Sequence, residues 1–503
     1  MLFVFLNASF TGAQNLIRQV LHVPTGAISA QGRSMYVSEN TESGQSGAAI
    51  AVAGFAEFQG KTLPQVTAFS AEGDLIWDST ALLPAGYSGT ALGITGYKVQ
   101  NPETYEPETG WMVCGECTDS TGDINMFVWR IPANKGSGFK SKLQIYPSPG
   151  RVQSLKCIVQ LVGSYEFVAA GFCTDTNSGY NAMFAVRLNS KLDTLSTLII
   201  QEGINDYVQS ICTFPVSFRN EKTPAYAISG DITYAKSGIR TKLLALDYFN
   251  NTLWEAIGGT DNQFGNQSVC LVKMPGDTNN HFYITGEGQP DIRSRFDNTF
   301  AHILHNGSIA TQSYFGSTGN DATFSTAPYY TNTGMPVLIS TGYYSSSAKP
   351  LENYVMLNFR DTSGQEISDL KDLRQPLGGI GYSIAAMPLK NKIVISGTAT
   401  DSVRKLFIQI LEVPRVKETC NPVYYFEGKL RFAECHNRYS RTISHLKIYD
   451  MRGKTLLETN NISNSASIDL LLCPGVYIAE LQDSENKTGK LAGEAHRTKI
   501  VVP

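Results

Sequence analysis

The chain has 503 residues and a formal net charge of −3, with 17% charged residues, 24 Tyr, 24 Phe and 45 Gly. That length is too great for one ordinary core and predicts several domains or one large closed repeat array. The slightly acidic balance excludes a basic nucleic-acid surface, and without an apolar run of about 18 residues beyond the N-terminus no membrane-spanning helix is expected.

The opening segment 1–13, Met1 to Ala13, is apolar and then small, as a secretory signal peptide is, although no Lys or Arg precedes it. Cleavage after Ala13 leaves Gln14 at the mature end; a buried first strand is the alternative. From about residue 27 to 412 a strand of the form apolar-x-small-Gly recurs: Ala51-Val52-Ala53-Gly54, Met112-Val113-Cys114-Gly115, Val168-Ala169-Ala170-Gly171, Ala227-Ile228-Ser229-Gly230, Tyr283-Ile284-Thr285-Gly286, Ile339-Ser340-Thr341-Gly342 and Val394-Ile395-Ser396-Gly397. The glycine-to-glycine intervals are 61, 56, 59, 56, 56 and 55 residues. One period repeated this often marks a single array.

Each copy is flanked in the same way. Upstream lies a segment such as Val208-Gln209-Ser210-Ile211; downstream come an alternating strand such as Met183 to Leu188, a turn and a further strand such as Asn251 to Trp254. Four antiparallel strands per repeat form a propeller blade. The last copy stops after its third strand, Lys405 to Leu411, and the segment Asn15 to His22 is in phase to supply the missing one, closing the ring and removing an exposed edge. The expectation for residues 14–413 is therefore an all-β fold, a seven-bladed β-propeller closed by its N-terminal strand.

In such a ring the loops after each second strand gather on one face. They hold Asp119 and Asp123, Asp175, Asp231 with Lys236 and Arg240, Asp291 with Arg293, Arg295 and Asp297, Tyr343 and Tyr344 with Lys349, and Asp401 with Arg404. Aromatic rings beside Arg and Asp suit a glycan or protein ligand; turn-making polar residues are the plainer reading of any one of them. Asp291, Arg293 and Arg295 form the sharpest candidate, two Arg one residue apart being able to address one anion. Tyr343 and Tyr344, and Tyr329 and Tyr330, follow. An insertion from Tyr97 to Gly110 lengthens the second repeat and could cover part of a face.

Catalytic signatures are missing: there is no Gly-x-Ser-x-Gly elbow, no His-Glu-x-x-His, no P-loop and no dinucleotide fingerprint. No cofactor or metal is expected. His302 and His305 are close in sequence but face opposite ways on an alternating strand. Nine cysteines show no zinc spacing, and Cys114-Gly-Glu-Cys117 is a lone pair whose first member occupies the repeat's small-residue position. Cys420 and Cys435 flank the domain junction.

A linker, 414–421, leads to residues 422–503, which alternate polar and apolar residues between Gly and Asn turns as a small Ig-like sandwich does. Three pieces stand out here: Leu446 to Leu456 with Tyr449, Asp450, Gly453 and Lys454; Leu472 to Leu481 with Pro474, Gly475, Val476 and Tyr477; and Lys499 to Pro503. Their order and chemistry resemble the C-terminal sorting domain of the type IX secretion system of Bacteroidetes. That resemblance implies export through the periplasm, engagement of the type IX translocon, and removal of the domain by a surface sortase-like protease, often with attachment to lipopolysaccharide. The expected protein is thus a secreted or cell-surface binding or adhesion module. A glycan-acting hydrolase or lyase and a structural surface-layer component are the alternatives.

Overall fold

The computed structural model describes residues 16–502 except 39–48, 101–106, 134–140, 148–150, 175–177, 219–220, 236–237, 260–263, 275–276, 278, 291–294, 318, 331–335, 347–348, 368–377, 388–391, 401–402, 413–422, 427–428, 433–441, 451, 464–467, 470–474 and 484–495. The expected signal segment and the 414–421 linker, with Cys420 and Cys435, lie outside the described residues. Among the described residues every regular element is a strand.

After β1 (Leu16–His22), the strands fall into consecutive antiparallel sets. The first comprises β2 (Ser29–Val37), β3 (Ile50–Phe58), β4 (Lys61–Phe69) and β5 (Leu75–Thr80). The second comprises β6 (Ser88–Gln100), β7 (Pro107–Thr118), β8 (Ile124–Pro132) and β9 (Lys142–Tyr146). The third is β10 (Gln153–Gln160), β11 (Phe167–Thr174), β12 (Asn181–Leu188) and β13 (Thr194–Ile200); the fourth is β14 (Asn205–Phe218), β15 (Glu221–Tyr234), β16 (Gly238–Asp247) and β17 (Thr252–Gly258). One bridge, Asn181 to Asn205, joins these two. The fifth is β18 (Ser268–Val272), β19 (His281–Gly288), β20 (Asp297–Ile303) and β21 (Ile309–Phe315). The sixth is β22 (Asp321–Tyr330), β23 (Pro336–Ser346) and β24 (Lys349–Arg360), with a bridge from Arg360 to Glu366 where a further strand would lie. The last set is β25 (Gly379–Met387), β26 (Lys392–Thr400) and β27 (Arg404–Glu412), and β1 completes it by pairing antiparallel to β27 from Leu16 and Leu411 to His22 and Leu406.

The recurring glycine has a physical cause. It lies in the second strand of each set, against the first, or leading, strand. In β2, β6, β10, β14 and β25 the leading strand carries a register shift at this level, at Gly32/Ser34, Ala91/Gly93, Leu155/Cys157, Val208/Ser210 and Gly381/Ser383. A bulge of this kind bends its strand toward the partner. A Cβ on Gly54, Gly115, Gly171, Gly230, Gly286, Gly342 or Gly397 would land on a leading-strand segment's carbonyl oxygen, that of Gln31, Thr90, Ser154, Tyr207, Gly265, Ala322 or Ile380 respectively. Only glycine permits that approach. The preceding small residues, Ala53, Cys114, Ala170, Ser229, Thr285, Thr341 and Ser396, are all buried. Cys114 is thus a packed small residue of the repeat; its thiol is pushed up by burial.

Apolar clusters hold successive sets together: Ala53 and Val66 with Val113 and Trp129, Met112 and Val128 with Leu155 and Phe184, Ala170 and Met183 with Ile228 and Leu244, and Phe214 and Ala245 with Phe282 and Ile284. The last set packs on the first through Ile408 and Val394 against Val52 and Met35. Strand β1 also reaches the first set: Arg18 Nη1 is 2.7 Å from the Asp74 carboxylate, and His22 Nε2 is 3.0 Å from Asp78. The insertion after Tyr97 is an elongated β6–β7 hairpin, paired out to Gln100 and Pro107.

The described residues of the C-terminal unit form two sheets. One has the order β31-β30-β33-β34, built from β30 (Thr442–Asp450), β31 (Thr455–Ser463), β33 (Gly475–Asp483) and β34 (His496–Val502); the other joins β28 (Val423–Phe426), β29 (Lys429–Phe432) and the short β32 (Ile468–Asp469). Leu446 and Ile448 are buried.

Candidate functional site

The positions immediately after the recurring glycines are Phe55, Glu116, Phe172, Asp231, Glu287, Tyr343 and Thr398. Next to several of them stand the extra residues of the leading-strand bulges, Arg33, Lys156, Gln209 and Tyr382, each half-buried. The glycine and the bulge occur together in the fold, so these two kinds of position meet at the same level of each set.

Ring and charge contacts link them across the sets. The Arg33 guanidinium lies 4.4 Å over the Tyr382 ring and 5.8 Å from that of Phe55. Tyr382 packs on Phe324 at 5.3 Å, and Phe324 on Tyr343 at 5.9 Å. Burial raises the Tyr343 phenol, with the charge of Glu287 adding to the effect. On the far side Lys156 Nζ lies 4.0 Å from the Glu116 carboxylate and 5.7 Å over Phe172, whose ring meets Tyr207 edge-on at 4.9 Å. Between these arcs sits Asp231. Its Oδ1 accepts the Asn266 backbone N–H at 2.6 Å. Burial pushes its carboxyl up to about 7, against the pull of that bond and of Gln209, with Glu287 adding repulsion; Glu287 is itself raised by burial. Aromatic faces thus stand beside both signs of charge, the groups that stack on rings and pair with ions.

The candidates read from sequence are separated by the structure. Tyr343 joins this cluster. Tyr344, one residue on, stacks on Tyr354 at 5.5 Å and faces a different cavity. Tyr329 is buried and Tyr330 ends β22. Arg295 is exposed just before β20, while Asp291 and Arg293 lie outside the described residues, as do Asp175, Lys236 and Asp401. Asp119 is committed to its own turn, accepting from Thr121 and Asp123 N–H groups at 2.9 and 3.0 Å. Asp231 belongs to strand β15 and not to a loop.

The two histidines do not share a strand. His305 falls beyond β20, and His302 pairs instead with His281: Nε2 of His302 is 3.0 Å from Nδ1 of His281, whose Nε2 is 2.9 Å from Asp277. His302 stacks on Tyr283 at 4.5 Å, and burial beside His281 pushes it down to about 4, so the ring is neutral at physiological pH. No group of three potential metal ligands converges among the described residues.

In the C-terminal unit, Tyr449 and Asp450 end β30. The Asp450 carboxylate accepts the Arg452 and Lys454 N–H groups at 2.9 Å, and Gly453 sits at φ +80°. This is a turn in which an Asp side chain and a left-handed glycine define the hairpin. Gly475, Val476 and Tyr477 open β33, Lys499 pairs with Ile478 in β34, and Pro474 lies outside the described residues.

No family model matches the sequence, and a search among curated proteins finds no relative. Solved structures of similar shape include the β-propeller domain of the Trilobed protease from Pyrococcus furiosus, with a TM-score of 0.37 and 8% identity over 76% of this chain and 94% of that one. Sqt1 from Chaetomium thermophilum matches with a TM-score of 0.36 and 9% identity over 75% of this chain and 83% of that chain. Exo-inulinase from Aspergillus awamori matches with a TM-score of 0.32 and 8% identity over 80% and 96%. Likeness at this level is too loose to transfer an activity.

Proposed function

We propose that residues 14–413 are a seven-bladed β-propeller that binds a glycan or peptide at its axis, carried to the cell surface by a small Ig-like C-terminal sorting domain. The observation that supports the reading is the linked set of side chains at the level of the recurring glycines and leading-strand bulges, which runs from Arg33 in the first set through Tyr382, Phe324 and Tyr343 in the last two. A propeller directs its leading strands toward a common axis, so a cluster spread over those strands presents one composite surface. The test is a glycan and peptide array with the full chain, run beside Arg33→Ala/Tyr382→Ala and Arg295→Ala variants. A hit lost in the first variant and kept in the second is the expected result. A hit lost only with Arg295 moves the site to the loop face, and no hit at all favours a structural surface-layer role.

The export half of the proposal rests on the Tyr449–Lys454 hairpin and the Gly475–Tyr477 strand opening. Deleting residues 446–503 is expected to strand the protein in the periplasm, whereas surface display of that truncation contradicts the assignment. A glycan-acting hydrolase is the second reading, favoured by the Asp231 carboxyl, pushed up to about 7 by burial, since a carboxyl raised toward neutral pH suits a general acid.

A further inference from the structure

Arginines set into the strand sets are tied to acceptors of the chain itself. Arg130 lies 3.8 Å from Glu108 and donates to the Ser190 carbonyl at 2.8 Å, Arg187 lies 3.3 Å from Glu166, and Arg360 donates to the Gly364 carbonyl. Arg33 differs. Among the described residues no carboxylate stands within ion-pair distance of it, no acceptor meets its guanidinium, and its Nε is buried without a partner. Burying part of a charge and leaving its donors unmet costs stability, so the group is retained for an acceptor that the chain does not supply.

The side chain is nonetheless fixed in place. Arg33 is the extra residue of the β2 bulge, between Gly32 and Ser34, and its guanidinium lies 4.4 Å from the Tyr382 centroid and 5.8 Å from that of Phe55. Contact with rings engages the faces of a guanidinium, while its N–H donors lie in its plane and stay available. From Tyr382 the aromatic row continues through Phe324 to Tyr343, and the complement of Arg33 stands there. Glu287, whose charge acts on Tyr343, is half-buried; among the described residues its carboxyl accepts no hydrogen bond and meets no cation. An unmet donor and an unmet acceptor thus flank one row of rings.

We infer that the inner cluster takes an acidic sugar, a hexuronate within a glycan, with its carboxylate on the Arg33 guanidinium and its hydroxyls toward Glu287 and Asp231. The inference rests on the axial binding reading above and names the ligand class of that site. A neutral ligand leaves the Arg33 charge unmet, whereas a carboxylate makes the short, two-pronged bonds that a guanidinium fork favours. A chain dense in sulfate or phosphate is repelled by Glu287 and Asp231, which limits the anion to an isolated carboxylate. An acidic peptide meets Arg33 equally well, yet each of its backbone N–H groups comes with a carbonyl, and a carbonyl facing these two carboxyls finds no donor. A sugar hydroxyl turns to donate to either of them, and the C–H face of the pyranose lies against the rings between.

The test offers the full chain di- and trisaccharides that each carry one glucuronate or galacturonate, beside their carboxyl-reduced forms, in which that unit is glucose or galactose. A panel of neutral glycans and acidic peptides is run with them. At least one uronate sugar is expected to bind, and its reduced form at least tenfold more weakly. In Arg33→Gln, shown by its melting curve to be folded, the two forms are expected to bind within twofold of each other. Reduced forms that bind as well as the acids overturn the inference and leave the axial glycan reading standing. So do neutral glycans that bind where no uronate does, and a folded Arg33→Gln that keeps the tenfold preference. Binding of acidic peptides alone overturns the sugar class, and binding of nothing on the panel removes the axial reading together with the inference. If Arg33→Gln fails to fold, the paired sugars on the parent protein decide the question.

Discussion

Replacing Gly230 by alanine is expected to destabilise the chain by about 3 kcal/mol or more, one of the largest single-residue effects available in it. The new Cβ would sit on the Tyr207 carbonyl oxygen and against Val208 in the bulged leading strand. Neither backbone can withdraw without breaking the pairing of β14 with β15, which continues on both sides from Asn205 to Phe218. Urea unfolding measures the effect. Gly258→Ala is the control: it also lies in a strand, its nearest neighbour would be 3.7 Å away, and a change within about 1 kcal/mol is expected. Equal effects at the two positions would show that the recurring glycine answers to something other than close backbone approach.

Asp231→Asn is expected to stabilise the protein at pH 8 and to leave it nearly unchanged at pH 4. The carboxyl is raised from 3.8 to about 7 in the folded chain, chiefly by burial. A raised carboxyl pKa means that the folded state holds a proton the unfolded state has released, so the parent loses stability as pH climbs from about 4 to 7. Three units amount to about 4 kcal/mol in full; the half-buried position reduces this to a few kcal/mol. The amide keeps an oxygen to accept the Asn266 N–H at 2.6 Å, so that contact survives the substitution. Thermal melts at whole pH units from 4 to 8 should show a falling curve for the parent and a flatter one for the variant. A parent curve equally flat over this range sinks the prediction. The same variant bears on catalysis: loss of glycan turnover with ligand binding retained would favour the hydrolase reading.

The array was legible because its cause is steric. A close approach of two backbones admits only glycine whatever surrounds it, so the signal at Gly54 through Gly397 is not diluted by drift in the neighbouring side chains. The inner cluster was hidden by the opposite property: the position after each glycine repeats, but its chemistry does not, running Phe, Glu, Phe, Asp, Glu, Tyr, Thr. Position rather than residue type was the signal that would have found it. An Asp that closes a turn and an Asp that meets a ligand look alike in sequence. Asp119, Asp247, Asp361 and Asp450 each accept N–H groups of their own turns. The His281–His302 pair was out of reach of local spacing, since it depends on the register that sets Tyr283 opposite His302.

The pairing of β1 with β27 also governs when the chain can finish folding. Leu16 and Leu411 are neighbours in space but almost 400 positions apart in sequence, and drawing such distant segments together costs about 5 kcal/mol of chain entropy. During synthesis β1 emerges first and has no partner until the last set has left the ribosome. Once the last set has formed and until its own β1 docks, the edge of β27 can accept β1 from another copy as readily, which makes strand exchange between copies the characteristic hazard of this topology.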